Sequence, residues 1–184
     1  MVRILIPLAQ GCEELEAVTL IDLFRRAGFE VVTAGLDDRP VTASRGTRLL
    51  PDVTLDSVLG EDFDLIALPG GQPGADNLQH DTRLAELLGR HAGKGRYTAA
   101  ICAAPKVLAS AGLLEGRHAT AFPGVLEAMN LPDTTLTTDV VTRDGHILTS
   151  RGPGTAMDFA LSLIELLAGA DKRAEVEGPL QRPV

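Results

Sequence analysis

Cys102 sits in the stretch YTAAICAAPKVLASAGL (Tyr97 to Leu113), between β-compatible residues and an Ala/Leu/Val-rich helical pattern that opens with Pro105 as a first-turn proline. A thiol at such a junction is carried on a sharp strand-to-helix turn, clear of the sheet and facing backbone N–H groups, which is how a nucleophile is held. Taken alone, a free cysteine is more often a small buried hydrophobe, so its neighbours decide. Glu16, in GCEELEAV (Gly11 to Val18), falls beside Leu20 on a helical wheel, at the edge of the apolar stripe, while Asp22, Arg25 and Arg26 fall on the solvent side. Burial raises the pKa of such a carboxyl and the helix dipole lowers it. In its protonated form, next to a thiol, it can hydrogen-bond a thiolate and then move protons on a substrate. Glu13 and Glu14 read as acids that merely favour the helix dipole.

The glycine-rich PGGQPGA (Pro69 to Ala75) has neither a G-x-G-x-x-G nor a P-loop pattern. It suits the cysteine better than a phosphate: beside Gly70, the N–H of Gly71 and that of Ala103 can together donate to a developing oxyanion, with no side chain required. Cys12, in the loop after the first strand, is a candidate second redox thiol that would pair with Cys102 or with its own copy across a dimer. The plain alternative is a small buried or surface thiol.

The elements that must position these groups follow from periodicity. Val2–Leu8 reads as a buried strand, and Glu14–Ala27 as a helix with Ala17, Leu20, Ile21, Phe24 and Ala27 at helical spacing, ended by Gly28. Glu30–Ala34 is a second strand, Asp64–Gly71 a buried strand running into the glycine loop, Thr82–Ala92 a helix and Thr98–Ile101 a further strand. Asp144–Gly145 is a hairpin turn between two β-branched runs, and a final helix spans about Gly154 to Leu167. This rhythm predicts a mostly parallel sheet with helices on both faces. Ligands then bind beyond the carboxyl ends of the strands, where AQGCEELE, PGGQPGA and CAAP should converge. The polar tail from Gly169 to Val184 is expected to pack loosely or not at all.

With 184 residues, 45% hydrophobic and 23% charged, the chain is the size of one domain with one well-buried core. The net charge of −8 and the dispersed basic residues exclude an electrostatic footprint for nucleic acid or an anionic membrane, leaving small molecules as partners. No apolar run reaches the roughly 18 residues a membrane span needs. The opening MVRILIPLAQGC faintly resembles a lipoprotein signal, but its apolar run is short and breaks at Pro7. Two cysteines do not make a disulfide framework, which fits a reducing compartment, with the cytoplasm as the expectation. No cluster with metal-ligand spacing is visible, so no metal or cofactor is expected.

Five pieces, GCEELEAV (11–18), SRG (44–46), LPGG with GADNL (68–78), AAICAAP (99–105) and LTSRGPGTAMDFAL (148–161), stand in the order they have in the ThiJ/PfpI superfamily. The chain resembles that superfamily over about residues 2–168, and within it the branch of the parkinsonism-associated protein deglycase and YajL. The resemblance implies a flavodoxin-like three-layer α/β sandwich, related to class I glutamine amidotransferases, as a single domain over 1–184. It implies that Cys102 is a low-pKa elbow cysteine, that Glu16 is its carboxyl partner, and that the Gly71 and Ala103 amides line the pocket. Arg45 matches an arginine that the family brings near the site from a partner subunit, members of this branch being typically homodimers; a solvated surface arginine is the plain alternative.

One departure stands out. Where several relatives have a histidine before a proline, this chain has TAFPG, so Phe122 takes the place and no Cys–His pair forms there. His118 comes four residues too early, and His80, His91 and His146 fall in segments read as surface helix or hairpin, so all four read as solvated or structural. Ala103 stands where the intracellular peptidases of the superfamily have histidine, which disfavours peptidase chemistry. The activity implied is that of a cofactor-free glyoxalase or deglycase acting on methylglyoxal, related α-oxoaldehydes or their adducts. The alternative is a redox sensor or stress chaperone using the same oxidisable cysteine. Cysteine hydrolase or amidotransferase chemistry is weaker, for want of a histidine.

Overall fold

The structure, a computed structural model, describes residues 1–182. The chain runs β1 (Arg3–Leu8), α1 (Glu14–Arg26), β2 (Glu30–Gly35), β3 (Val41–Thr42), β4 (Arg48–Leu49), β5 (Val53–Thr54), α2 (Leu55–Val58), β6 (Leu65–Leu68), α3 (Gly74–His80), α4 (Thr82–Gly93), β7 (Tyr97–Ile101), α5 (Pro105–Ser110), β8 (His118–Ala119), β9 (Thr135–Leu136), β10 (Val141–Asp144), β11 (Ile147–Ser150), α6 (Ala156–Ala168) and α7 (Ala170–Glu177). Seven strands form one sheet in the order β10-β11-β7-β6-β1-β2-β5. All neighbours are parallel except β10, which returns on β11 through the hairpin at Gly145.

The strands are near-continuous apolar runs because both faces are covered. In β1, Ile4 and Ile6 point into one layer with Leu65, Ala67, Ala99 and Ile101, against Leu20 and Phe24 of α1 and Phe159 and Leu163 of α6. Leu5, one residue out of phase, joins Ile66, Leu68 and Ala100 in the opposite layer with Leu84 and Leu88 of α4. The period-2 alternation thus feeds two cores rather than a core and solvent. Each of these large side chains contributes about 1.5–3 kcal/mol by leaving water. This is the expected flavodoxin-like sandwich.

Helix α1 ends where glycine ends it. Gly28 takes φ +77°, its N–H donates to the Arg25 carbonyl, and the Phe29 N–H donates to that of Phe24. These two bonds are the Schellman pattern, which satisfies carbonyls that the helix leaves open.

The tail corrects the expectation of loose packing. Residues 170–177 form α7, which folds back on α6 with Val176 buried. Arg173 pairs with Glu165 and Glu177, and Arg182 with Asp158 and Glu177. One buried valine in a polar run carries no periodic signal, and such half-exposed ion pairs are worth about 0–1 kcal/mol each; the helix is held by its docking. Residues 183–184 of the predicted tail lie outside the described residues. No helix among the described residues is long and apolar enough to cross a membrane.

Candidate active site

Cys102 is the first residue after β7, and its φ of +63° makes it one of two non-glycine residues in the left-handed region among the described residues. That conformation costs an L-residue about 1–2 kcal/mol. The surroundings hold it there. The Cys102 N–H donates to the Ser150 carbonyl at 3.0 Å, and the Cys102 carbonyl accepts from the Phe122 N–H at 2.8 Å. Behind the turn lies Gly70: a Cβ on it would come within 2.7 Å of the Cys102 Cβ and 2.9 Å of the Ala103 nitrogen. Gly70→Ala is therefore expected to displace the elbow and to cost about 1–3 kcal/mol, as overpacking does. Denaturant midpoints check this against Gly89→Ala in α4, where a Cβ meets nothing within 4 Å and the fold should be unharmed.

The three loops predicted to converge do so. The Glu13 N–H donates to the Gly70 carbonyl (2.9 Å) and the Gly74 N–H to that of Gly11 (3.1 Å), which sews the loop after β1 to the glycine loop after β6. Gly71, at φ +90°, lies so close to the main chain at Cys12 and Glu13 that no side chain fits.

Glu16, in the first turn of α1, is fully buried. Its Oε2 accepts the Gly70 N–H at 2.8 Å, while Oε1 has no hydrogen-bond partner among the described residues. Burial pushes this carboxyl up to about 7, opposed by the Gly70 N–H and the Cys102 side chain, and aided by the charge of Glu13. The helix dipole therefore loses to desolvation. Cys102 is 9% exposed. Burial, then the charge of Glu16 and the hydrogen bond to it, push the thiol up to about 12, against the lowering effect of the Gly71 and Ala103 N–H groups. These effects run against the low thiol pKa that the resemblance implies. Thiol and carboxyl titrate as a unit: one proton leaves near neutrality, and the second is retained because it would leave two negative charges in one buried site.

Gly71, Cys102 and Ala103 face a cavity of about 280 Å³, together with Glu13, Ser44, Arg45 and Gln72 and the apolar Phe122, Val125 and Pro153. Glu16 is not on the cavity surface and meets it through Cys102. Arg45 stands at the cavity of its own chain. It is held at its backbone N–H by Glu14, whose carboxylate also accepts from Thr47 N–H and Ser44 Oγ. Some desolvation opposes it, but the N–H groups of Glu14 itself, Arg45 and Thr47 bring the Glu14 carboxyl down to about 2. Glu14 is thus the clamp of the Arg45 loop and not only a dipole partner, and Glu13, likewise discounted from the sequence, accepts from Ser44 Oγ at the cavity.

Cys12 is fully buried, and burial followed by the charge of Glu14 pushes its thiol up to about 12. These are the surroundings of a structural thiol, and both cysteines are free. None of the four histidines lines the cavity: His91 is buried against the Tyr97 carbonyl, His146 stacks on Tyr97, His118 pairs with Asp144 and His80 is exposed. Gln72, Val125 and Pro153 were not anticipated at the site as individual residues; Gln72 lay in the glycine-rich stretch and Pro153 in a matching piece singled out from the sequence, and Val125 in neither. Among the described residues there is no group of three or more metal-ligating side chains.

An elbow cysteine backed by a buried glutamate and faced by glycine-loop amides is the arrangement that the resemblance implied, and comparison with known proteins shows the family. The family model described as DJ-1/PfpI matches residues 2–166. Protein DJ-1 homolog B of Arabidopsis thaliana is 41% identical over 97% of this chain but only 41% of its own length, so the chain spans less than half of that relative. The glutathione-independent glyoxalase DJR-1.2 of Caenorhabditis elegans is 36% identical over 96% of this chain and 94% of its own. The crystal structure of Drosophila melanogaster DJ-1beta superposes with a TM-score of 0.95 at 38% identity, covering 100% of this chain and 99% of that one. With the match running from β1 into α6 and through every loop of the site, the chain belongs to the DJ-1/PfpI family.

Proposed function

We propose that the chain is a cofactor-independent glyoxalase or deglycase that converts α-oxoaldehydes, or their adducts, to 2-hydroxy acids through Cys102. The observation that carries the reading is the buried Glu16 beside the elbow thiol, with one carboxyl oxygen unpartnered and a pKa near neutrality. A base that must both take and return a proton works best at such a pKa. The resemblance to a relative named a glutathione-independent glyoxalase supports the same class.

The Glu16 carboxylate takes the thiol proton as Sγ bonds to the aldehyde carbon. The carbonyl π pair moves onto oxygen, where the Gly71 and Ala103 N–H groups stabilise the charge. Protonation of that oxygen by Glu16 gives a hemithioacetal and restores the carboxylate. Glu16 next removes the hydrogen on the sulfur-bound carbon, and the electron pair passes to the neighbouring carbonyl as an enediolate. Return of the proton to the second carbon, with the first hydroxyl's proton moving to the second oxygen, leaves a thioester of a 2-hydroxy acid. Water cleaves the C–S bond and frees the thiol. The sum is one aldehyde plus one water to one hydroxy acid, with no net redox change. Production of lactate from methylglyoxal without added glutathione tests it; no lactate at any pH between 6 and 9 overturns it.

Oxidation of the same sulfur is the second reading, favoured by the unpartnered Glu16 Oε1, an open hydrogen-bond position for an oxygen added to Sγ. Burial that keeps sulfur protonated opposes it, since peroxide attacks the thiolate. Selective sulfinate formation in a protein without turnover would decide for it.

The partner we propose is a second copy of the chain. Leu15 and Val18 are exposed on one face of α1, and Leu50 is exposed after the loop that Glu14 clamps. Sedimentation velocity at micromolar concentration should show a dimer; a 19.4 kDa species throughout overturns it.

A further inference from the structure

Of the five phenylalanines, Phe24, Phe29, Phe63 and Phe159 are buried, and Phe122 alone is 49% exposed. It is the one phenylalanine left largely to water, and it stands on the cavity that holds Cys102. It is not a loose side chain. Its N–H donates to the Cys102 carbonyl (2.8 Å), and its carbonyl accepts from the Val125 N–H (3.1 Å), which brings Val125 to the same cavity. Its ring fills the space beside Gly152, where a Cβ would stand 3.4 Å from Cδ2. Pro153 follows Gly152 in the chain, so two segments meet to give Phe122, Val125 and Pro153 as an apolar wall beside the sulfur.

A pinned, half-exposed ring forgoes part of the stabilisation that full burial of such a side chain yields, unless a ligand covers it. The cavity has room for that ligand. At about 280 Å³, against roughly 30 Å³ for each molecule of liquid water, it is far larger than the methyl group of methylglyoxal requires. Phe122 also brings no hydrogen-bond donor or acceptor to the wall, so what it recognises is an apolar surface.

Resting on the reading of the site as one for α-oxoaldehydes, we propose that Phe122, with Val125 and Pro153, selects α-oxoaldehydes that carry an aromatic substituent on the ketone carbon. Phe122 acts here as a specificity-determining wall and takes no part in the proton transfers. The aldehyde carbon meets Sγ, and the substituent covers the Phe122 ring.

The test is the ratio of kcat/KM for phenylglyoxal to that for methylglyoxal in the wild type, Phe122→Leu and Phe122→Ala, each rate divided by that of a simple thiol with the same aldehyde to remove intrinsic reactivity. The wild-type ratio is expected to exceed one by about tenfold or more, the lower end of what an apolar pocket discriminates. Phe122→Ala should bring it near one, with Phe122→Leu between. A wild-type ratio near one, or a ratio unchanged because both rates fall together, overturns the proposal. If neither aldehyde is turned over, the functional reading fails, and the wall is read instead from protection of Cys102 against iodoacetamide. Stronger protection by phenylglyoxal in the wild type, lost in Phe122→Ala, upholds the aromatic selection; equal protection in both proteins overturns it.

Discussion

Cys102→Ala is expected to bring α-oxoaldehyde turnover to the uncatalysed background, a loss of more than about 10⁴-fold in kcat, the scale on which removal of a covalent nucleophile acts. Alanine keeps the Cβ and hence the strained φ of +63°, and the Ser150 and Phe122 hydrogen bonds at the turn involve only backbone. The fold should stand, and unchanged denaturant midpoints alongside the lost rate separate chemistry from structure. Cys102→Ser sharpens the result. Its hydroxyl fits the same place, but an alkoxide in a site whose burial already holds a thiol near 12 is out of reach of a carboxylate base. It too should be inactive. Retention of more than a tenth of the wild-type rate in either variant would mean that the sulfur forms no bond to the substrate.

Glu16→Gln should separate activity from stability in opposite directions. Activity is expected to fall by about 10²–10⁴-fold, the usual range for a positioned acid–base group. The wild-type kcat/KM should rise with pH through about 7, as the buried carboxyl ionises, and the variant should lack that limb. Stability should move the other way. The folded carboxyl holds its proton up to about 7, whereas in the unfolded chain it releases it near 4.3. Between these values the folded state binds more protons than the unfolded one. Stability from this group is therefore complete below about pH 4 and is lost as the pH rises to 7. Glutamine mimics the neutral acid at every pH. The variant should match the wild type near pH 4 and exceed it above pH 7 by an amount on the order of 3–4 kcal/mol. A variant less stable than the wild type at pH 8 would show that the carboxylate is welcome in its pocket and that burial does not set its proton affinity.

Several features of the fold were legible because they are local. The apolar run of β1, the helical spacing of α1, the stop at Gly28 and the hairpin at Asp144–Gly145 each depend on neighbours within a few residues, and the structure places them within two residues of expectation. Helix α7 was not legible, because Val176 is its one buried residue and the helix exists by docking on α6. The parts of Glu13 and Glu14 were hidden for the same reason. Their partners lie in the loop at residues 44–47, about thirty positions away, and nothing local distinguishes a carboxylate that favours a helix dipole from one that clamps a distant loop.

The sequence by itself determined which atoms could react: a cysteine at a strand-to-helix junction, a glutamate on the apolar edge of a helix, and glycines where the main chain must come close. The resemblance implied in addition that Phe122 stands where relatives have a histidine, and the structure puts Phe122 on the cavity with Cys102. Only the tertiary structure decided where the proton rests. Burial of Glu16 and Cys102 is the joint work of α1, the glycine loop and the β7 elbow, and the free energy of an ion depends on everything that displaces water around it. The same packing that makes the glutamate a base near neutrality withholds the free thiolate, because one enclosed site of low polarity accepts a single negative charge far more readily than two.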